Sequence, residues 1–212
     1  MGACGCLEVC ARYQNPVGII TKSLLIRRDL DMLGALARLG LVRVSLSIAF
    51  ADEAAARALE PGTPTIRRRF ETMELLARAG IPVGIGIAPI IPGLNDMAIP
   101  ALLTEARSRG ATSAFHQPLR LSGSVRPVFF HRLKAALPLS AAKVEHRIRE
   151  IRGGALNDSR FGHRFQGQGT YWDQITQMWT VWTKRLGFDR METPPRPAEF
   201  RVPSDQLEFA FA

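Results

Sequence analysis

Three groups of residues in this chain have the types and spacing to do chemistry. The first is Cys4, Cys6 and Cys10, a C-x-C-x3-C run whose thiolates are suitable ligands for iron or zinc. On a helix Cys6 and Cys10 would share a face, with Cys4 beside it. The second is Ile81 to Asp96, IPVGIGIAPIIPGLND, a continuous apolar run ending in Pro-Gly-Asn-Asp. Such a run reads as a buried parallel strand opening into a polar loop, where ligands collect. The third is GGALNDSRFGHRFQGQGTY, Gly153 to Tyr171, too long and too patterned for a plain linker. Within it Asn157, Asp158, Arg160, His163 and Arg164 offer polar groups to a substrate, while Phe161 and Phe165 either stack on that substrate or pack beneath it.

The elements that must position these residues alternate. NPVGIITKS (Asn15 to Ser23), LVRVSLSIA (Leu41 to Ala49) and TSAFHQPLRL (Thr112 to Leu121) join the Ile81 run as short strand patterns. Between them lie amphipathic helical patterns: one opening at Asp29 with Leu30, Leu33, Leu36, Ala37 and Leu39 on one face, one over Ile66 to Ala79, and one from about Ala98 to Arg109. Each ends at a glycine, Gly40, Gly80 or Gly110, just before a strand, as a left-handed helix stop requires. Alternating β and α of this kind specifies a parallel sheet, open or closed into a barrel. Gly84 and Gly86 leave room for something to approach the third strand, and Asn95 and Asp96 are placed to cap the helix after it. His116 and Gln117, near the end of the fourth strand, are candidates to face a substrate. Beyond it, Val128 to Ala136 and Ala141 to Ile151 read as helices separated by Pro138, and Tyr171 to Leu186 as a last helix.

Composition narrows the class. The 212 residues are 46% hydrophobic, enough for a sizeable core, and no run reaches the ~18 apolar residues of a membrane span. The start MGACGCLEVC has neither the basic region nor the long apolar run of a secretory signal. Three cysteines within ten residues are not a disulfide framework, so a cytoplasmic compartment is expected. Residues 1–106 carry 11 Lys+Arg against 10 Asp+Glu, whereas residues 107–212 carry 17 against 9. The basic second half is compatible with a polyanionic partner, although an Arg-rich composition alone would produce it as well.

NPVGIITKS, VRVSLSI, LEPGTPT and AGIPVGIGIAPIIPGLND, in that order, resemble the radical S-adenosylmethionine superfamily, and within it the branch like spore photoproduct lyase, a DNA repair enzyme. The likeness covers about Leu7 to Leu186, with LEPGTP (Leu59 to Pro64) and ITKS (Ile20 to Ser23) its most specific pieces. It implies an α/β fold, a partial (β/α)6 barrel with its site at the carboxyl ends of the strands, of which these four strands would be the third through sixth. Domains are then expected at 1–121 (partial barrel), 122–187 (helical extension with the Gly-rich loop) and 188–212 (extended tail). The resemblance implies S-adenosylmethionine and a [4Fe-4S] cluster as cofactors. Lys22 would meet the carboxylate or ribose of S-adenosylmethionine, Ser47 its methionine or ribose part, and Ala88 and Pro89 its adenine. His116, Arg120, Asn157 and Arg160 would face the substrate.

The departure from that family is as informative. Its cluster ligands, C-x3-C-x2-C after the first strand, have no counterpart here, and Cys4, Cys6 and Cys10 fall where the family has the helix before its third strand. The chain resembles a barrel without its first third, and an exposed sheet edge with self-association is the expectation. No residue is assigned a catalytic role. Two functions compete: the carboxyl-terminal part of a radical S-adenosylmethionine enzyme, inactive alone, and a basic module that binds nucleic acid or protein without catalysis.

Overall fold

Three glycines set the rhythm of the fold. The computed structural model describes residues 3–161 and 163–188, with side chains from residue 5; the tail expected over 188–212 lies outside them from residue 189, as does the Cys4 side chain. Helices α2 (Leu30–Arg38), α4 (Ile66–Arg78) and α5 (Ile99–Ser108) all stop in the same way. Gly40, Gly80 and Gly110 take φ of 69°, 74° and 89°. The amide of the next residue then returns to the helix: Leu41 N to Leu36 O at 2.9 Å, Ile81 N to Leu76 O at 3.1 Å and Ala111 N to Ala106 O at 2.9 Å. This 6→1 closure satisfies carbonyls the helix end would leave bare and aims the chain into the next strand.

Those strands are β1 (Val17–Thr21), β2 (Val42–Ser47), β3 (Val83–Ile90) and β4 (Ser113–Pro118). They form one parallel sheet in the order β1-β2-β3-β4, the α/β architecture the sequence specifies and one consistent with a partial barrel. Register and strand alternation sort the side chains. Val44, Leu46, Ile48, Val83, Ile85 and Ile87 share one face, each at most 1% exposed, and α2, α4 and α5 cover it with Leu33, Leu36, Met73, Leu76, Leu102 and Leu103. The other face carries Ser45 and Ser47, Gly84 and Gly86, and at the β1 edge Ile20, 61% exposed.

The remaining helices are α1 (Ala3–Arg12), α3 (Glu53–Leu59), α6 (Val125–Ala136), α7 (Pro138–Glu150) and α8 (Thr170–Arg185). α1 packs on α2, α6 on α3 and α7, and α8 on α5. Several local expectations are corrected. Pro138 opens α7 rather than separating two helices, because a first-turn proline loses no helical hydrogen bond. Leu39 is 58% exposed, since it falls in the stop rather than on the buried stripe. Neither Asn95 nor Asp29 caps a helix with its side chain. The room beside Gly84 and Gly86 is taken by β4: a Cβ there would lie 2.4 Å from Ser113 Oγ and 2.5 Å from the Phe115 ring.

Candidate functional site

Parallel pairing brings the ends of β1, β2 and β3 together. Thr21 pairs with Leu46, and Ser47 with Gly86, so Lys22, Ser47, Ala88 and Pro89 all sit at the carboxyl end of the sheet. Ser47 Oγ donates to Ala88 O at 3.2 Å. With its proton used there, the Ser47 oxygen presents acceptor lone pairs to a ligand.

The LEPGTP loop after α3 is locked onto this end by one arginine. Arg69 is 1% exposed, and its guanidinium donates to Pro64 O (2.8 Å), Ser47 O (3.0 Å), Glu60 Oε2 (3.0 Å) and Thr63 Oγ1 (2.7 Å). The other Glu60 oxygen takes the Lys22 ammonium at 2.5 Å. The Glu60 side chain is 7% exposed and that of Lys22 33%, so the carboxylate is held by a buried cation on one side and an accessible one on the other. An ammonium has three donors; the partly exposed Lys22 can meet an anion while still held by Glu60. Asn95, 4% exposed, ties the neighbouring loops: its Oδ1 accepts from Ile91 N at 2.7 Å, and its Nδ2 donates to Ala49 O (2.8 Å) and Pro89 O (3.0 Å). Asp96 accepts from Tyr171 Oη instead of capping, which fastens α8 beneath the β3 loop; burial, first of all, and this bond push the Tyr171 hydroxyl up to about 12. Beside the Glu60 loop, Leu59, Val125, Val128, Phe129 and Arg132 line an apolar groove of about 340 Å3.

A second cluster follows β4. Arg120 lies over the Phe165 ring at 4.8 Å, and Arg164 contacts the same ring at 4.9 Å and Phe161 at 5.6 Å. Asn157 Oδ1 accepts from Leu121 N at 3.2 Å. Arg160 pairs with Asp158 at 2.8 Å, and its hydrogen bonds hold the Asp158 carboxyl well below the usual range. His116 joins neither cluster. It pairs with Ile87 on the helix-covered face, and its ring lies 5.8 Å from that of Trp172 and 4.3 Å from that of Trp179. Burial lowers its pKa to about 4, so it is neutral and packed near pH 7.

Of the cysteines, Cys6 is exposed and Cys10 half-buried on α1, and no group of three or more His, Cys, Asp or Glu among the described residues could hold a metal. The described residues therefore do not fit a [4Fe-4S] cluster, which takes thiolates brought to one point. S-Adenosylmethionine is another matter, since an accessible ammonium, a hydroxyl acceptor and an apolar strand end match its carboxylate, ribose and adenine.

Comparison with known proteins reaches the same stretch. Residues 5–106 match the sequence model of the Radical SAM superfamily, a span that runs from α1 into α5 and contains Lys22, Ser47, Glu60, Arg69, Ala88 and Pro89. An uncharacterized protein of Mycobacterium bovis is 33% identical over 149 residues, 69% of this chain and 43% of its own length. Uncharacterized proteins of two Mycobacterium tuberculosis strains match to the same extent, and one of Acidianus two-tailed virus is 35% identical over 74 residues, 24% of its length. The chain thus spans less than half the length of the mycobacterial relatives it matches.

Sequence reasoning gives Glu60 and Arg69 no role of their own, and it reads Asn95 as a helix cap rather than as the tie between two loops. Glu60 lies within the LEPGTP motif, which is the signal for it, whereas Arg69 stands in a run of three arginines, Arg67 to Arg69, with nothing local to mark one of them as buried.

Proposed function

We propose that this chain is the carboxyl-terminal part of a radical S-adenosylmethionine protein and that its strand ends bind that cofactor. Supporting the reading is one observation above all: Lys22, Ser47 and Ala88, at the ends of three successive strands, are joined at one sheet end through Arg69, Glu60 and the Ser47 to Ala88 bond. In this reading Lys22 pairs with the cofactor's carboxylate, Ser47 accepts from its ribose, and Ala88 and Pro89 wall off the adenine. When reduced, S-adenosylmethionine supplies a carbon radical that takes hydrogen from a substrate. The chain's own part is to bind and orient the cofactor.

Relation to spore photoproduct lyase, and with it DNA repair, is the finer part of the proposal and rests on the motif order alone, since a fold does not transfer substrate specificity. Titration calorimetry with S-adenosylmethionine tests the site: binding is expected, weakened about tenfold by Lys22→Ala or Ser47→Ala, the scale of one lost charged or polar contact. No heat of binding, or variants that bind like the parent, would defeat it. Anaerobic reconstitution with iron, sulfide and dithionite is expected to give no deoxyadenosine above a protein-free control. Turnover that vanishes when Cys4, Cys6 and Cys10 become Ala would instead identify those cysteines as cluster ligands.

The second reading, a basic module for nucleic acid without catalysis, is favoured by the charge of residues 107–212, 17 Lys+Arg against 9 Asp+Glu. It calls for affinity that falls steeply with salt and for no cofactor binding.

A further inference from the structure

The loop between α7 and α8 is organised around an arginine that no motif singled out. Arg152 is 5% exposed. Its guanidinium donates to Gln166 O at 2.6 Å and Leu119 O at 3.0 Å, pinning the Gly-rich loop to the end of β4. These acceptors are backbone carbonyls, so the buried charge gains hydrogen bonds without a direct anionic partner. Of the carboxylates near it in the chain, Glu150 is paired with Arg147, and Asp158 with Arg160, which reaches it through both Nε and Nη2.

Three further observations converge here. Arg152 Nε and Arg120 Nε are both buried with no hydrogen-bond partner among the described residues. A buried donor left in that state normally marks a bound water or ion. Beside Arg152 lies a cavity of about 130 Å3, bounded also by Asp158, His163, Gln166 and Gln168; at about 30 Å3 per water it has room for roughly four waters, or for a tetrahedral oxyanion. Arg164 approaches the ring of Phe165 as Arg120 does, so two guanidiniums share one aromatic side chain, and Arg120 is close enough to act on the charge of Arg152. Burial, first of all, and the neighbouring Arg120 act against the charged form of Arg152, while Asp158 favours it; a bound anion would offset the remaining cost.

We propose that Arg152, Arg120 and Arg164 form a binding site for a phosphoryl-type oxyanion in the loop between α7 and α8. Guanidinium is the side chain best matched to such an anion, because its planar fork donates in pairs to phosphate oxygens. Phe161, 91% exposed and in contact with Arg164, provides a face on which a base attached to that phosphate stacks. The site lies outside the stretch that matches the Radical SAM superfamily, and it stands or falls independently of cofactor binding at the strand ends.

Calorimetry on the whole chain, with inorganic phosphate, adenosine monophosphate and a short single-stranded oligonucleotide as separate probes and chloride at matched ionic strength as control, tests the proposal. Phosphate is expected to bind and to raise Tm, and adenosine monophosphate to compete with it and bind more tightly. Arg120→Gln and Arg164→Gln, both at partly exposed positions, should each weaken phosphate about tenfold, the scale of one charge-assisted contact, with circular dichroism unchanged. Phe161→Ala should erase the advantage of the nucleotide while leaving phosphate affinity as it was. An oligonucleotide bound more tightly than the mononucleotide identifies a strand as the source of the phosphate; equal affinity identifies a small molecule. No phosphate effect beyond that of chloride, or phosphate binding that all of the arginine variants retain, would overturn the site.

Discussion

The two arginine-centred clusters solve the same physical problem differently. At the strand ends Arg69 is buried against a carboxylate, and Glu60 is shared with Lys22. After β4, Arg152 is buried against backbone carbonyls, with its Nε unpartnered. A buried charge is tolerated only when it is paired or fully hydrogen-bonded. The first cluster meets that condition from within and leaves one accessible cation, Lys22, at its rim. The second meets it in part, so its remaining demand is for an anion from outside. The comparison teaches that the count of buried arginines says little until their acceptors are named.

The largest expected effect breaks the first cluster. Arg69→Met removes the partner of a 7%-exposed carboxylate and strips the donors from Ser47 O and Pro64 O, at a cost of about 3–5 kcal/mol in denaturant unfolding. A loss below about 1 kcal/mol, the level of a surface pair, would mean the pair is not a buried one. Next comes His116, between the tryptophans of the helix that follows the second cluster. Its folded pKa, about 4, lies below the ordinary 6.5, so the unfolded chain takes up the proton first as pH falls. Its contribution is fully present above pH 6.5 and is lost progressively toward pH 4, by up to about 3 kcal/mol, trimmed by its partial exposure. Unfolding curves across that window should show the slope, and His116→Phe should flatten it.

A smaller loss is expected from Arg152→Met, about 2 kcal/mol, since carbonyls lose their donor but no buried carboxylate is stranded. Hydrogen exchange should then rise selectively over residues 153–169; a loss as large as that of Arg69→Met would erase the distinction between the clusters. Smallest is Lys22→Ala, at most about 1 kcal/mol, because Glu60 keeps Arg69. That asymmetry sharpens the comparison: of the two cations on Glu60, Arg69 is buried in the fold and Lys22 stays partly exposed at its rim.

Much of the framework was legible in the sequence. The three stops at Gly40, Gly80 and Gly110, each after an amphipathic stripe, imply helices that end where strands begin; the first three strands lie where their β-branched runs place them, and the fourth lies within the weaker TSAFHQPLRL pattern. Such features are local, since a left-handed stop or a period of 3.6 needs only a few adjacent residues to be read. Lys22, Ser47 and Ala88 could be assigned to strand ends for the same reason.

Which groups those ends share was decided by the tertiary structure. Glu60 lies 38 residues from the Lys22 it holds, and Arg69 lies 22 from the Ser47 carbonyl it meets; parallel pairing across separate βα units brings them together, and no spacing along the chain records it. The same holds for Gly84 and Gly86, whose missing side chains read as room for a ligand until β4 fills it with Ser113 and Phe115. His116 reads as a strand-end group, but register turns it toward α8. The sequence by itself determined the elements and their order, through local backbone preference and apolar period. Only the packing of those elements decided which charges are neutralised inside the molecule and which remain for a partner, because burial and pairing are properties of the folded neighbourhood rather than of the residue.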